Sequence, residues 1–177
     1  MKKNYFTLAA IVCSLFLAMV FSSCGKDNPL LNLDDVVKSD LTGPLFLAYD
    51  NTLGATTKKI WAFNETEAAK GTITVVGDDI LRIQTDWFFS SWSYVGNNLT
   101  LKGEETKSYN LKKVNVLTYS AIAFSNNYVC IPSSNRSIDN VNYENEWLNR
   151  GLTKQAFWDA LRKSNAEKTS VDIKLNN

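Results

Sequence analysis

From residue 45 to 131 the chain alternates apolar and polar positions with a period of two, in short runs broken by Gly, Asn, Asp and Ser. That period puts successive side chains on opposite faces of an extended chain, so the pattern predicts half-buried β-strands. Strands are expected over 45–49, 60–63, 72–76, 80–85, 87–94, 99–102, 108–114, 117–124 and 128–131. Pro132 ends the run, because it has no N–H to give to a ladder. Gly77-Asp78-Asp79 and Gly96-Asn97 tolerate positive φ, and the second pair, flanked by aromatic-rich strands, marks a tight hairpin. Strands at this spacing with no helical pattern between them indicate an antiparallel sandwich or barrel rather than a βαβ fold.

Beyond Pro132 the period changes. Residues 133–142 are polar and irregular, 143–149 fit a short helix ending before Gly151, and Thr153 is placed to cap a helix over 154–164. Phe157 and Leu161 stand at i and i+4 of that helix with Trp158 beside them, so one apolar stripe should pack on the sheet. Val171, Ile173 and Leu175 alternate with Asp172 and Lys174, which predicts a last strand added to a sheet edge. The expected fold class is all-β with a C-terminal helix, the sheet forming an antiparallel sandwich or barrel.

The N-terminus follows a different logic. Lys2 and Lys3 precede an apolar run from Phe6 to Phe21, and Phe21-Ser22-Ser23-Cys24 closes it with small side chains and a thiol. This layout resembles a bacterial lipoprotein signal, which implies removal of residues 1–23, fatty acylation at Cys24 and a membrane partner reached through that lipid. Gly25, rather than Asp, after the thiol resembles lipoproteins passed to the outer membrane. The alternative is an uncleaved transmembrane anchor, since a span needs about 17 to 25 apolar residues. Against it, no cluster of positive charge follows Cys24. Residues 24–42 read as a lipidated tether with a helical turn near 33–37, and residues 43–177 as the folded domain.

Loss of the leader leaves 154 residues (177 minus 23), enough for one core. Lys2 and Lys3 go with it, so 19 basic residues become 17 against 18 acidic ones, and no broad basic field remains for nucleic acid. Of the three cysteines only Cys130 lies outside the leader and the lipidation site, so no internal disulfide can form and an inert buried thiol is expected. The chain has no histidine, which removes Ser-His and Cys-His nucleophiles and imidazole metal ligands. Asp34-Asp35, Asp78-Asp79 and Glu104-Glu105 are adjacent pairs in the tether or in turns, unlike the spaced carboxylates of a glycosidase. No catalysis, cofactor or metal is expected.

Trp61-Ala62-Phe63-Asn64, Gly71-Thr72-Ile73-Thr74, Trp92-Ser93-Tyr94 and Asn98-Leu99-Thr100-Leu101 follow one another in an order that resembles small bacterial lipocalin-like lipoproteins. The resemblance covers about half of the mature chain. It implies an antiparallel up-and-down β-barrel, followed by a helix and a last short strand. Gly43-Pro44-Leu45 stands where the family's first strand carries Gly-x-Trp, and no binding residue transfers by motif.

Alternation over 87–94 places Phe88, Ser90, Trp92 and Tyr94 on one face and Trp87, Phe89, Ser91 and Ser93 on the other, with Trp87 and Phe89 expected to cover the C-terminal helix. Trp61, Phe63, Phe88, Trp92, Tyr94, Tyr109 and Tyr119 are the candidates to line the mouth of a cavity for a small apolar or amphipathic ligand. The plainer reading is that the same rings fill the barrel. Trp87, Phe89 and Trp92 could instead stack on a glycan, or 133–150 could present a protein-binding surface. Arg82, between Leu81 and Ile83, is expected to point to solvent.

Overall fold

The structure is a computed structural model that describes residues 35–50, 56–116, 119–125, 128–135 and 142–176. Cys24 and the expected leader, residues 1–23, lie outside the described residues. The elements are α1 (Lys38–Thr42), β1 (Leu47–Asp50), β2 (Thr57–Phe63), β3 (Ala68–Val76), β4 (Ile80–Phe89), β5 (Ser91–Val95), β6 (Asn98–Lys102), β7 (Thr106–Val116), β8 (Tyr119–Phe124), β9 (Tyr128–Pro132), α2 (Tyr143–Asn149), α3 (Lys154–Glu167) and β10 (Val171–Lys174).

All the strands pair antiparallel, in the order β10-β4-β3-β2-β1-β9-β8-β7-β6-β5. Consecutive strands are neighbours except β4 and β5, and β9 and β10. The Gly96-Asn97 hairpin has the expected left-handed pair, φ 54° and 66°, and the β3–β4 turn has Gly77 at φ 61°. Thr153 Oγ1 accepts from the Ala156 N–H at 3.0 Å and caps α3, and β10 adds to the β4 edge. Arg82 reaches across that edge to Asp172, in two hydrogen bonds of 2.8 and 2.9 Å.

Both faces of the sheet are covered where β1, β2 and β3 run. On β2, Ile60 and Ala62 join an outer cluster with Leu81, Ile83, Trp147, Phe157 and Leu161, so α2 and α3 pack on that face. Trp61 and Phe63 join an inner cluster with Phe89, Leu99, Leu101, Tyr109, Leu111, Ile122 and Phe124. Trp61 on β2 lies 5.7 Å from Tyr109 on β7, although β1, β9 and β8 separate those strands in the sheet. The sheet therefore curls until its inner face meets itself.

The curl does not close through the backbone. β4 and β5 follow each other across a single residue, Ser90, and have no ladder between them, so the closed barrel implied by the resemblance is an open curled sheet here. Side chains cross the gap instead. Lys107 Nζ of β7 stands 3.3 Å above the Trp87 ring of β4, and Ser90 Oγ donates to the Lys102 carbonyl at 3.4 Å.

A bulge and the break at Ser90 together correct the expected faces of 87–94. Gly71 pairs with Thr85 but Lys70 with Trp87, so Asp86 is an extra residue that turns over the rest of β4, and the alternation breaks again at Ser90, between β4 and β5. Phe88 consequently packs against the outer cluster, whereas Phe89 is buried in the inner one with Trp92 beside it. Trp87 and Phe89 do not cover the helix.

The helical turn expected near 33–37 is found slightly later, as α1. It is not held off the domain: Val36 and Leu41 are 3% and 1% exposed within the inner cluster. Lys38–Glu65 (2.9 Å) and Lys113–Asp40 (3.0 Å) pin this plug over the end of the curl that carries the β2–β3 turn.

Candidate functional site

The inner face is a stack of rings around Trp61. Phe63, Phe89 and Phe124 lie at 6.2, 6.2 and 5.7 Å from it in stacked orientation, and Tyr109 meets it edge-on. Trp61 is 1% exposed, and its Nε1 has no hydrogen-bond partner. A buried donor left unpaired costs about 1–3 kcal/mol, and such groups in folded proteins call for an acceptor. Burial pushes the Tyr109 phenol above its usual pKa, and the neighbouring Tyr128 adds to the shift.

Lys70 sits on β3 directly opposite Trp61, and cross-strand partners share a face. Its ammonium lies 5.6 Å from the Trp61 ring, 5.4 Å from Tyr49 and 4.9 Å from Tyr128, and donates to the Tyr128 hydroxyl at 3.4 Å. Tyr49 and Tyr128 meet edge-on at 4.8 Å. All three residues are only partly buried. The curl thus has one end covered by α1 and another end walled by tyrosines around a lysine. Cys130, on the same inner face, is fully buried, and that burial raises its thiol pKa, with Lys70 opposing weakly.

Five of the predicted site residues come together here. Trp61, Phe63 and Tyr109 are buried in the inner cluster, and Trp92 and Tyr94 pack against it as partly buried neighbours. Trp92 Nε1 donates to the Asn64 carbonyl at 2.9 Å, and the Tyr94 hydroxyl donates to Asn97 Oδ1 at 2.8 Å. Burial raises the Tyr94 pKa, helped by Asp35 and Asp40. Phe88 is on the opposite face, and the side chain of Tyr119, on β8, is outside the described residues. The glycan platform is not assembled: Phe89 is buried, Trp92 is half-buried under the Lys38 ammonium at 5.4 Å, and Trp87 alone is exposed, with Lys107 over its face.

Sequence reading missed Lys70, Tyr49 and Tyr128. Counting outward from the Asn64 turn would have placed Lys70 opposite Trp61, and therefore inward. It also passed over Glu144, which is buried and accepts from the Leu45 N–H at 2.9 Å and from Ser133 Oγ at 2.5 Å. Phe46 N–H in turn donates to Ser133 Oγ at 3.1 Å, so these two side chains clamp the segment after β9 onto the start of β1.

Three open grooves lie elsewhere among the described residues. One of about 410 Å³ runs between α2 and the β3–β4 turn, beside Trp147, Arg150 and Leu175, and one of about 350 Å³ lies beside α1, Lys113 and Pro132. The predicted rings line neither of these, whereas the third, of about 230 Å³ beside Asp86, Gly103 and Lys168, has Phe88 in its wall. Among the described residues no group of His, Cys, Asp and Glu could hold a metal, and no helix is long and apolar enough to cross a membrane. The chain matches no known family, no curated protein and no solved structure.

Proposed function

We propose that this chain is a lipid-anchored protein of the bacterial outer membrane, held by acyl chains on Cys24, whose curled sheet is a lipocalin-like barrel. It binds a small apolar or amphipathic ligand at the half-buried end of the inner face, and it catalyses no reaction. The observation that carries this reading is the orphaned indole N–H of Trp61, inside an aromatic cluster whose Lys70 end is only partly buried. A structure with no ligand role would gain by replacing that indole with a purely apolar ring.

The rings pack against one another, so the ligand occupies the Lys70 end rather than a deep central void. Where β4 and β5 fail to pair, Trp87 and Lys107 complete the wall, which keeps the lipocalin-like description compatible with the open ladder. The glycan alternative has little behind it, because no two exposed rings lie side by side among the described residues.

Two experiments test the proposal. Fractionation of cells carrying Cys24→Ala should find the protein released from the membrane and still folded, whereas persistent retention would favour an uncleaved anchor. Native mass spectrometry of the protein extracted gently from its own membranes should show a small molecule travelling with it. A ligand-free protein in every extract would remove the binding role.

A further inference from the structure

The half-buried end of the inner face carries an excess of hydrogen-bond donors. An ammonium donates several hydrogen bonds and accepts none, and an indole N–H only donates. Lys38, Arg82, Lys113, Arg162 and Lys174 each pair with a carboxylate, but among the described residues no Asp or Glu pairs with Lys70. Its neighbours are ring faces and one phenol, at 3.4 Å. Ring faces compensate an ammonium partly, and a half-buried cation without a counter-charge retains a desolvation cost. On the adjoining strand, in direct register, Trp61 holds a buried donor with nothing to receive it.

Resting on the binding role proposed above, we infer that this end receives an oxyanion: the carboxylate or phosphate head of an amphipathic ligand with a short apolar body. An oxyanion brings several acceptor lone pairs and a negative charge to one place, which is what Lys70 and Trp61 both lack. Charge-assisted bonds of this type are about twice as strong as neutral ones. Tyr49 and Tyr128, in edge-on contact at the rim, offer apolar faces to the ligand body beside the ammonium. The opposite end is occupied by Val36 and Leu41, so the ligand enters at the Lys70 end, head inward.

The test follows the indole ¹⁵N–¹H resonance of Trp61 in the full-length protein held in amphipol, assigned by its disappearance in Trp61→Phe. Octanoate, octyl phosphate, octanol and octylammonium are titrated in turn. Octanoate or octyl phosphate should shift the resonance downfield with saturation, and the one that does identifies the head. Octanol and octylammonium should leave it in place. Lys70→Gln should weaken the oxyanion response by about tenfold or more, and Lys70→Arg should keep it within about threefold. If Lys70→Gln does not fold, the Lys70→Arg titration and the four-compound comparison on the unaltered chain still decide. An equal response to octanol and octanoate overturns the oxyanion inference and leaves the amphipathic ligand standing. A ligand found by native mass spectrometry, with no movement of Trp61 by either oxyanion, overturns the inference alone. No response to any compound and no co-purifying ligand overturn both.

Discussion

The indole N–H of Trp92 donates to the backbone carbonyl of Asn64 at 2.9 Å, joining the start of β5 to the β2–β3 turn. Asn64 builds the rest of that joint with its side chain. Its Oδ1 accepts from the N–H groups of Glu67 and Thr66 at 2.6 and 2.9 Å, and its Nδ2 donates to Glu67 Oε2 at 2.9 Å. The Trp-Ala-Phe-Asn and Trp-Ser-Tyr segments, distant in sequence, thus meet across the side of the curl near the missing β4–β5 ladder. The polar tip of Trp92 fixes the joint and its ring packs edge-on to Phe63 at 5.3 Å.

Asn64→Ala should therefore destabilise the protein by about 1–2 kcal/mol, since the turn loses two backbone partners and a link to Glu67. Trp92→Phe removes the single bond to the Asn64 carbonyl and some ring area, and should cost about 1–2 kcal/mol. Urea unfolding of both single variants and the double variant measures this. A sum well short of additive would show that Trp92 docks only on an intact turn.

Gly71→Ala should be far worse than Gly77→Ala. A Cβ at Gly71 would stand 2.1 Å from the Gln84 carbonyl oxygen, a backbone atom held in the β3–β4 ladder next to the Asp86 bulge. Relief requires moving the strand, and a cost of about 2 kcal/mol or more is expected. At Gly77 the space is open and only the left-handed φ of 61° opposes a side chain, so a cost of about 1 kcal/mol is expected. Equal losses in thermal unfolding would contradict the tight crossing.

How far the sequence foretold this structure depends on how local each determinant is. Gly96-Asn97 and the Thr153 cap act within a few residues, and both are found where the sequence places them. The period-2 runs identify strands, but periodicity carries no count of extra residues, so the Asp86 bulge was invisible and with it the true face of Phe88, Trp87 and Phe89. Residues 35–42 look polar and tether-like because only Val36 and Leu41 are buried, a pattern too sparse to register as a packed element. In the candidate site, the rings of Trp61, Phe63 and Tyr109 were legible as inward positions. Lys70 was not, because a lysine in a strand reads as solvent-facing until the register against Trp61 is known.

Acid sensitivity should be traceable to Glu67. Its hydrogen bonds from Arg162, whose guanidinium reaches Glu67 Oε2 at 2.7 Å, hold its carboxyl below the ordinary value of 4.5, with Asn64 adding to the effect. A carboxyl lowered in the folded state stabilises the fold above its unfolded pKa and loses that contribution as pH falls through the folded one. Stability should decline as pH drops below about 4.5. Glu67→Gln should flatten that limb. Asp172→Asn at the exposed Arg82 pair should flatten it less, because solvent screens that pair. Unfolding midpoints from pH 7 to 2 compare the two.

Cys130 should resist alkylation in the folded protein. The thiolate is the reactive form, and complete burial on β9 raises the thiol pKa. Iodoacetamide labelling at pH 8, read by peptide mass mapping, should therefore rise only through the urea transition. Fast labelling of the native protein would mean that the inner cluster opens locally at β9.

Ser164 stitches α3 to the bulged strand, and its loss should be felt beyond its size. It is 1% exposed, accepts from the Thr85 N–H at 2.9 Å and donates to the Thr169 carbonyl at 2.6 Å, while Thr85 Oγ1 donates to the Leu161 carbonyl at 2.9 Å. Thr85 is the last residue before Asp86, where the bulge breaks the regular ladder, so its N–H depends on the serine. Ser164→Ala leaves that buried donor and the Thr169 carbonyl without their partner, and should destabilise by about 2–3 kcal/mol. Thr85→Val removes a bond whose acceptor, Leu161 O, lies inside a helix, and should cost about 1 kcal/mol. Hydrogen exchange separates the two: only Ser164→Ala should speed exchange at the Thr85 amide. An unchanged Thr85 amide in that variant would mean that the bulge is held by the sheet alone.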